Sequence, residues 1–148
     1  MPDPIPQIRA ASRRLVRELG FLNPTLAGTQ LPPSAVHALI EIGAHPGLTA
    51  RQLSETLLLE KSSVSRMLRK LVAAGEVAEG SNPADARAKP LSLTAQGQAT
   101  LARIDSFARH QVATALARMP EPARAQLAGA LAAYAAALRA CRLEEPPA

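Results

Sequence analysis

Thirteen prolines divide this 148-residue chain into a small set of uninterrupted segments. Proline fixes φ, removes a backbone donor and disfavours helix at the residue before it. The prolines fall at positions 2, 4 and 6, at 24, 32 and 33, at 46, at 83 and 90, at 120 and 122, and at 146 and 147. The long stretches between them are rich in alanine and poor in β-branched residues, so they read as helices. A chain of this length forms one domain or one subunit of a small oligomer, and at 47% apolar residues it can bury a core.

The first helix is expected over residues 6–22, with Ile5, Ile8, Leu15 and Leu19 at helical spacing and Arg9, Arg13, Arg14 and Arg17 on other faces. A loop follows to Leu31. Pro33 and Ser34 open a second helix carrying Val36, Leu39, Ile40 and Ile42, which ends at Gly43 and His45-Pro46-Gly47. Thr49, with Gln52 three residues on, forms a capping-box pattern for a short helix over residues 50–57. A fourth helix is expected over residues 61–74, stopped by Gly75. Residues 76–80 and 89–93 partly alternate around a turn-rich stretch, which predicts a β-hairpin with Pro90 where its missing N–H is harmless. Thr94 caps a long helix running to about residue 118, with Leu101, Ile104, Ala108, Val112 and Leu116 as its apolar stripe. The last helix, over residues 123–143, repeats Leu127, Leu131, Tyr134, Leu138 and Cys141 at spacings of four, three, four and three, a heptad-like seam. No internal repeat and no dividing linker is visible.

The segment over residues 61–74 carries the chemistry. On a helical wheel Val64, Met67, Leu68, Leu71 and Val72 cluster on one side, while Ser62, Ser65, Arg66, Arg69 and Lys70 spread over the other. One face can pack on a core while the other shows cations and short donors to a DNA major groove, which admits a helix of this kind. Arg66 suits bidentate contact with guanine, Ser62, Ser63 and Ser65 suit bases or phosphates, and Arg69 and Lys70 suit phosphate. A short capped helix precedes this segment, and a hairpin with Arg87 and Lys89 follows it. Helix, turn, helix and hairpin is the order of a winged helix-turn-helix, whose second helix enters the major groove and whose wing can place arginine in the minor groove. Asp85 can cap the wing loop and hold the Arg87 guanidinium. The net charge of +5 and pI of about 10.3 agree with an anionic partner. Aromatic residues make up only 2% (Phe21, Phe107 and Tyr134), which disfavours base-stacking platforms for single strands.

With these pieces in hand, the chain resembles the MarR family of winged-helix transcriptional regulators. The likeness is carried by the short helix "LTARQLSETL", the recognition helix "EKSSVSRMLRKLVAAGEV" and the wing "DARAKPLSLTAQG", and extends to the flanking helices. The stretches "IRAASRRLVRELGFL" and "PSAVHALIEIG" also resemble MarR-like modules that precede GNAT acetyltransferases, although no Q/R-x-x-G-x-G/A pyrophosphate loop is present. The resemblance implies a mainly α fold: a winged helix-turn-helix with long N- and C-terminal dimerisation helices and a small β-hairpin wing. One MarR-like domain would span 1–148, with residues 1–32 and 95–148 in dimerisation and 33–94 as the DNA-binding part. It implies a homodimer on double-stranded DNA at a pseudo-palindromic operator, acting as a repressor that answers a small-molecule effector such as an aromatic or phenolic acid. Arg13, Arg14 and Arg17 are candidates to line the effector crevice. The alternatives are the regulatory module of an acetyltransferase fusion and an interaction winged helix that binds no DNA. The expected DNA-binding set is Thr49, Lys61, Ser62, Ser63, Ser65, Arg66, Arg69, Lys70, Asp85, Arg87 and Lys89.

Other chemistry finds little support in the sequence. His37, His45 and His110 are scattered, so no metal or other cofactor is expected, and no catalytic constellation accompanies the serines. The lone Cys141 excludes an intrachain disulfide and continues the apolar stripe, so it is expected to pack. The N-terminus has no apolar leader, and the apolar run near residues 127–138 falls short of the roughly 20 residues of a membrane span. A cytoplasmic protein is therefore expected.

Overall fold

The computed structural model describes residues 1–146; Pro147 and Ala148, the last two residues of the expected domain, lie outside them. Among the described residues, six helices and two strands occur in the order α1 (Ile5–Glu18), α2 (Pro33–Ala44), α3 (Ala50–Leu57), α4 (Lys61–Ala73), β1 (Val77–Glu79), β2 (Leu91–Leu93), α5 (Ala95–Ala117) and α6 (Glu121–Glu144). Two compact units are formed, Met1–Ala108 and residues 109 onward.

The core of the first unit is built from α2 (Val36, Ala38, Leu39, Ile42), Leu53 of α3, the inner face of α4 (Val64, Leu68, Leu71), one residue of each strand (Val77, Leu91) and Ile104 of α5. Leu31, Leu48, Leu59 and Met67 pack against it, half-buried. The strands pair antiparallel with Val77 opposite Leu93 and Glu79 opposite Leu91. The sheet is shorter than the two expected segments. Beyond it, the Gly80 N–H still donates to the Pro90 carbonyl at 2.7 Å, so proline enters through its acceptor and its missing donor costs nothing. Leu48 adds a further rung, its carbonyl accepting from Leu91 N and the Gly47 N–H donating to the Leu91 carbonyl, both at 2.9 Å.

Helix ends show where local chemistry set the boundaries. Helix α1 stops at Glu18, four residues before the expected end. Gly20 takes φ +83°, its N–H bonds Arg17 O at 3.0 Å and the Phe21 N–H bonds Val16 O at 3.2 Å, closing a Schellman motif. Helix α4 ends the same way at Gly75 (φ +78°), with Gly75 N on Val72 O and Glu76 N on Leu71 O, both 3.0 Å. Helix α6 begins at Glu121 rather than residue 123. Pro120 is its N-cap and Pro122 sits in the first turn, where proline needs no donor.

Several expected core positions are exposed. Ile40, Val72 and Val112 lie on the surface at 40%, 37% and 52% exposure, and Ala108 is also exposed. Helix α1 buries none of its residues, and Ile5, Ile8, Leu15 and Val16 all face solvent. In the second unit, α6 also buries nothing. Leu127 is half-buried, while Leu131, Tyr134, Leu138 and Cys141 are exposed. The expected packing of Cys141 is therefore not met within one chain: the seam has no apolar layer of its own to cover it.

Candidate nucleic-acid interface

The site grows out of the α3–α4 pair. Thr49 caps α3 as its sequence predicts: Oγ1 accepts from Gln52 N at 3.2 Å, and the Gln52 side-chain oxygen accepts from Thr49 N at 2.9 Å. Its hydroxyl is thus engaged at the helix start. Buried Leu53 anchors α3. The turn into α4 is made by Leu58, which adopts the left-handed conformation at φ 56° without being glycine. Ser54 secures this turn, its hydroxyl donating to Leu59 O at 2.7 Å while Leu59 N donates back to Ser54 O at 3.2 Å. A left-handed leucine is strained, and nothing in the apolar or polar pattern announces it.

Helix α4 turns Val64, Leu68 and Leu71 into the core. Lys61, Ser62, Ser65, Arg66, Arg69 and Lys70 are exposed, and Ser63 is half-buried. None of the three serines caps the helix; the N-cap is Glu60, whose side chain makes no capping bond. The Arg66 guanidinium reaches Ser63 Oγ only at a long 3.5 Å, so it stays available for an outside acceptor. The flank of α4 meets the start of α2 in a cavity of about 430 Å³ that gathers Ser63, Arg66 and Lys70 with Gln30 and Ser34. Sequence spacing gives no signal for that meeting, because the two walls are some thirty residues apart.

The hairpin that follows holds Asp85, Arg87 and Lys89, all exposed. Asp85 Oδ1 accepts from the Arg87 backbone N–H at 2.9 Å. The carboxylate thus shapes the turn, as expected, but bonds the main chain rather than the guanidinium, because an Asx turn brings the N–H two residues on within easy reach. Lys89 Nζ lies 3.5 Å from Glu79 Oε2 across the hairpin. Part of its charge is therefore answered locally, and Arg87 is the freer cation of the wing.

The hairpin and α4 are fixed to α5 by the segment Thr94-Ala95-Gln96-Gly97. Thr94 Oγ1 accepts from Gly97 N at 3.0 Å and donates to Gly75 O at 2.5 Å. Gln96 Nε2 donates to Ala74 O at 3.1 Å and to Glu76 Oε1 at 3.0 Å. Two carbonyls at the end of α4 thereby gain donors. Gly97 passes so close to the Glu76 carbonyl that a Cβ there would collide with backbone.

Elsewhere, His37 stacks edge-on against Phe21 with ring centroids 5.1 Å apart. His45 lies 3.7 Å from Glu41 in an exposed turn. Among the described residues no three His, Cys, Asp or Glu side chains are gathered as a metal would need. No described helix is long and apolar enough to cross a membrane.

A capped helix, a tight turn, a second helix with a cationic outer face and a hairpin wing define a winged helix-turn-helix. The MarR family model matches residues 29–88, from the loop before α2 into the wing. Among curated proteins none matches the chain. Among solved structures, the chain is similar to Streptococcus pneumoniae FabT in complex with DNA (TM-score 0.79, 20% identity, 94% of this chain and 99% of that one). It is also similar to the PcaV transcriptional regulator of Streptomyces coelicolor in complex with its natural ligand (TM-score 0.70, 22% identity, 93% and 98%). A third is Bordetella bronchiseptica BpsR, whose DNA binding is regulated by 6-hydroxynicotinic acid (TM-score 0.71, 18% identity, 87% and 98%). At these identities the likenesses establish the fold.

Proposed function

We propose that this chain is a MarR-type transcriptional regulator that binds duplex DNA as a homodimer. The observation that carries the reading is α4. Its inner face is buried at Val64, Leu68 and Leu71, and its outer face presents Ser62, Ser65, Arg66 and Arg69 to solvent. In this reading Arg66 contacts guanine edges, Lys61, Arg69 and Lys70 contact phosphates, Ser62, Ser63 and Ser65 add short donors, and Arg87 of the wing enters the minor groove. Thr49, Asp85 and Lys89 act at the margins by holding helix start, loop and hairpin. The MarR match over residues 29–88 and the DNA complex of FabT support this assignment.

Dimerisation is supported by the exposed apolar residues of α1 and α6, which two copies of the chain can cover. The finer reading is a cytoplasmic repressor released by an aromatic or phenolic acid. It draws support from the ligand complex of PcaV and the ligand regulation of BpsR. Here an apolar groove of about 510 Å³ between α2 and α5, with Ile40, Leu101 and Ile104 in its lining, offers a ring-shaped effector a seat; Arg13, Arg14 and Arg17, expected to line the effector crevice, are exposed on α1 and lie outside that lining. A gel shift with the DNA upstream of the chain's own gene tests the assignment. Salt-sensitive binding to a defined segment, lost in Arg66→Ala, is expected. No preference for any segment over bulk competitor DNA would overturn it.

A further inference from the structure

Below the junction of α4 and β1 lies a cavity of about 290 Å³ whose lining includes Thr29, Leu31, Glu76, Thr100 and Arg103. Glu76 is only 8% exposed. Its Oε1 accepts from Gln96 Nε2 at 3.0 Å, but its Oε2 is buried with no hydrogen-bond partner. The position is the second residue past Ala74, the C-cap of α4, where the Schellman motif ordinarily places an apolar side chain against the helix. A carboxylate oxygen buried there without a donor is unfavourable. Neighbouring groups do not relieve it: the Thr29 hydroxyl already donates to Leu26 O at 2.7 Å and accepts from Leu31 N at 3.1 Å.

Arg103, exposed on α5 one turn beyond buried Thr100, adds a cation to the same lining without bonding Glu76. The cavity therefore offers an unmet acceptor and a free guanidinium together. A plain amine would meet the repulsion of Arg103, and a plain carboxylate that of Glu76. A molecule carrying both charges satisfies both through charge-assisted hydrogen bonds. The volume falls at the small end of ligand sites, roughly 300 Å³ and upward, and Leu31 supplies an apolar wall.

We propose that this cavity binds a small zwitterion of the neutral α-amino acid class, its ammonium on Glu76 and its carboxylate on Arg103. The site uses no residue assigned to DNA and stands independently of that assignment. Calorimetric titration of the full chain with neutral amino acids from glycine to L-leucine tests it, with isobutylamine and 3-methylbutanoate as the two halves of L-valine. The expected result is saturable binding of at least one amino acid, with one site per chain, and at least tenfold weaker binding of either half. Glu76→Gln and Arg103→Ala should each weaken the amino acid at least tenfold, while Arg66→Ala leaves it unchanged. Arg103 is exposed, so its variant reports even if Glu76→Gln folds poorly. Absence of binding by every amino acid at millimolar concentration overturns the proposal. So does binding that survives Arg103→Ala, or isobutylamine binding as tightly as L-valine.

Discussion

Arg66 and Lys70 lie four residues apart on α4, both exposed, and the proposed interface gives them different work. A guanidinium that bonds O6 and N7 of one guanine reads sequence, whereas an ammonium near a phosphate does not. Arg66→Ala should cost about 1–3 kcal/mol for the specific site and little for random DNA. Lys70→Ala should weaken all sequences alike and flatten the dependence of log K on log salt by about 0.9. Fluorescence anisotropy over a salt series on specific and random duplexes separates the two. Equal loss of specificity from both would contradict the division. The other decisive residue is Gly97. Its Cβ-free backbone lets α5 begin against the Glu76 carbonyl, so Gly97→Ala should cost about 1–3 kcal/mol through overpacking. Thermal unfolding should read this as a Tm drop of several degrees.

The same residues bind elements to one another. Thr94 caps α5 and bonds the end of α4 in one side chain, so Thr94→Ala loses a cap worth about 1 kcal/mol and leaves Gly75 O without that donor. Its stability loss should therefore exceed that of Thr49→Ala, whose hydroxyl serves α3 alone. Denaturant titration compares them. In the wing, Arg87→Ala should weaken binding most at sites flanked by A·T-rich sequence, where a narrow minor groove attracts arginine. Lys89→Ala should do less because Glu79 already answers its charge.

Much of this was legible in the sequence. The Thr49–Gln52 capping box, Gly75 and Thr94 announced their boundaries because each acts through backbone groups a few residues away. The hairpin from residues 76–80 and 89–93 followed from alternation, but its register, Val77 opposite Leu93, did not. What could not be read depends on geometry rather than pattern: the left-handed Leu58, the Asp85 bond to main chain in place of guanidinium, and the cavity that Ser34 and Arg66 both line. The exposure of Ile40 and Val72 was hidden for a related reason. A wheel shows which residues share a side but not how far a neighbouring element extends over it.

At the scale of the whole molecule, uncovered apolar surface and placed cations make one argument. Seven basic and five acidic residues lie between Thr49 and Leu93, so position rather than bulk charge singles out the interface. A two-fold dimer repeats that interface about one helical turn (~34 Å) away. The α6 seam, exposed at Leu131, Tyr134 and Leu138, is expected to lie within the dimer contact. Leu131→Asp with Leu138→Asp should raise the dimer dissociation constant at least 100-fold in sedimentation equilibrium and remove tight operator binding with it. An unchanged dimer would place the contact elsewhere. Guanine N7 methylation interference on the upstream DNA tests the central claim most directly, because it reports what occupies the major groove. Two symmetric groups of interfering guanines about one turn apart, lost in Arg66→Ala, are the predicted result. Interference absent from every segment, or unaltered by that substitution, would contradict the placement of α4 in the groove.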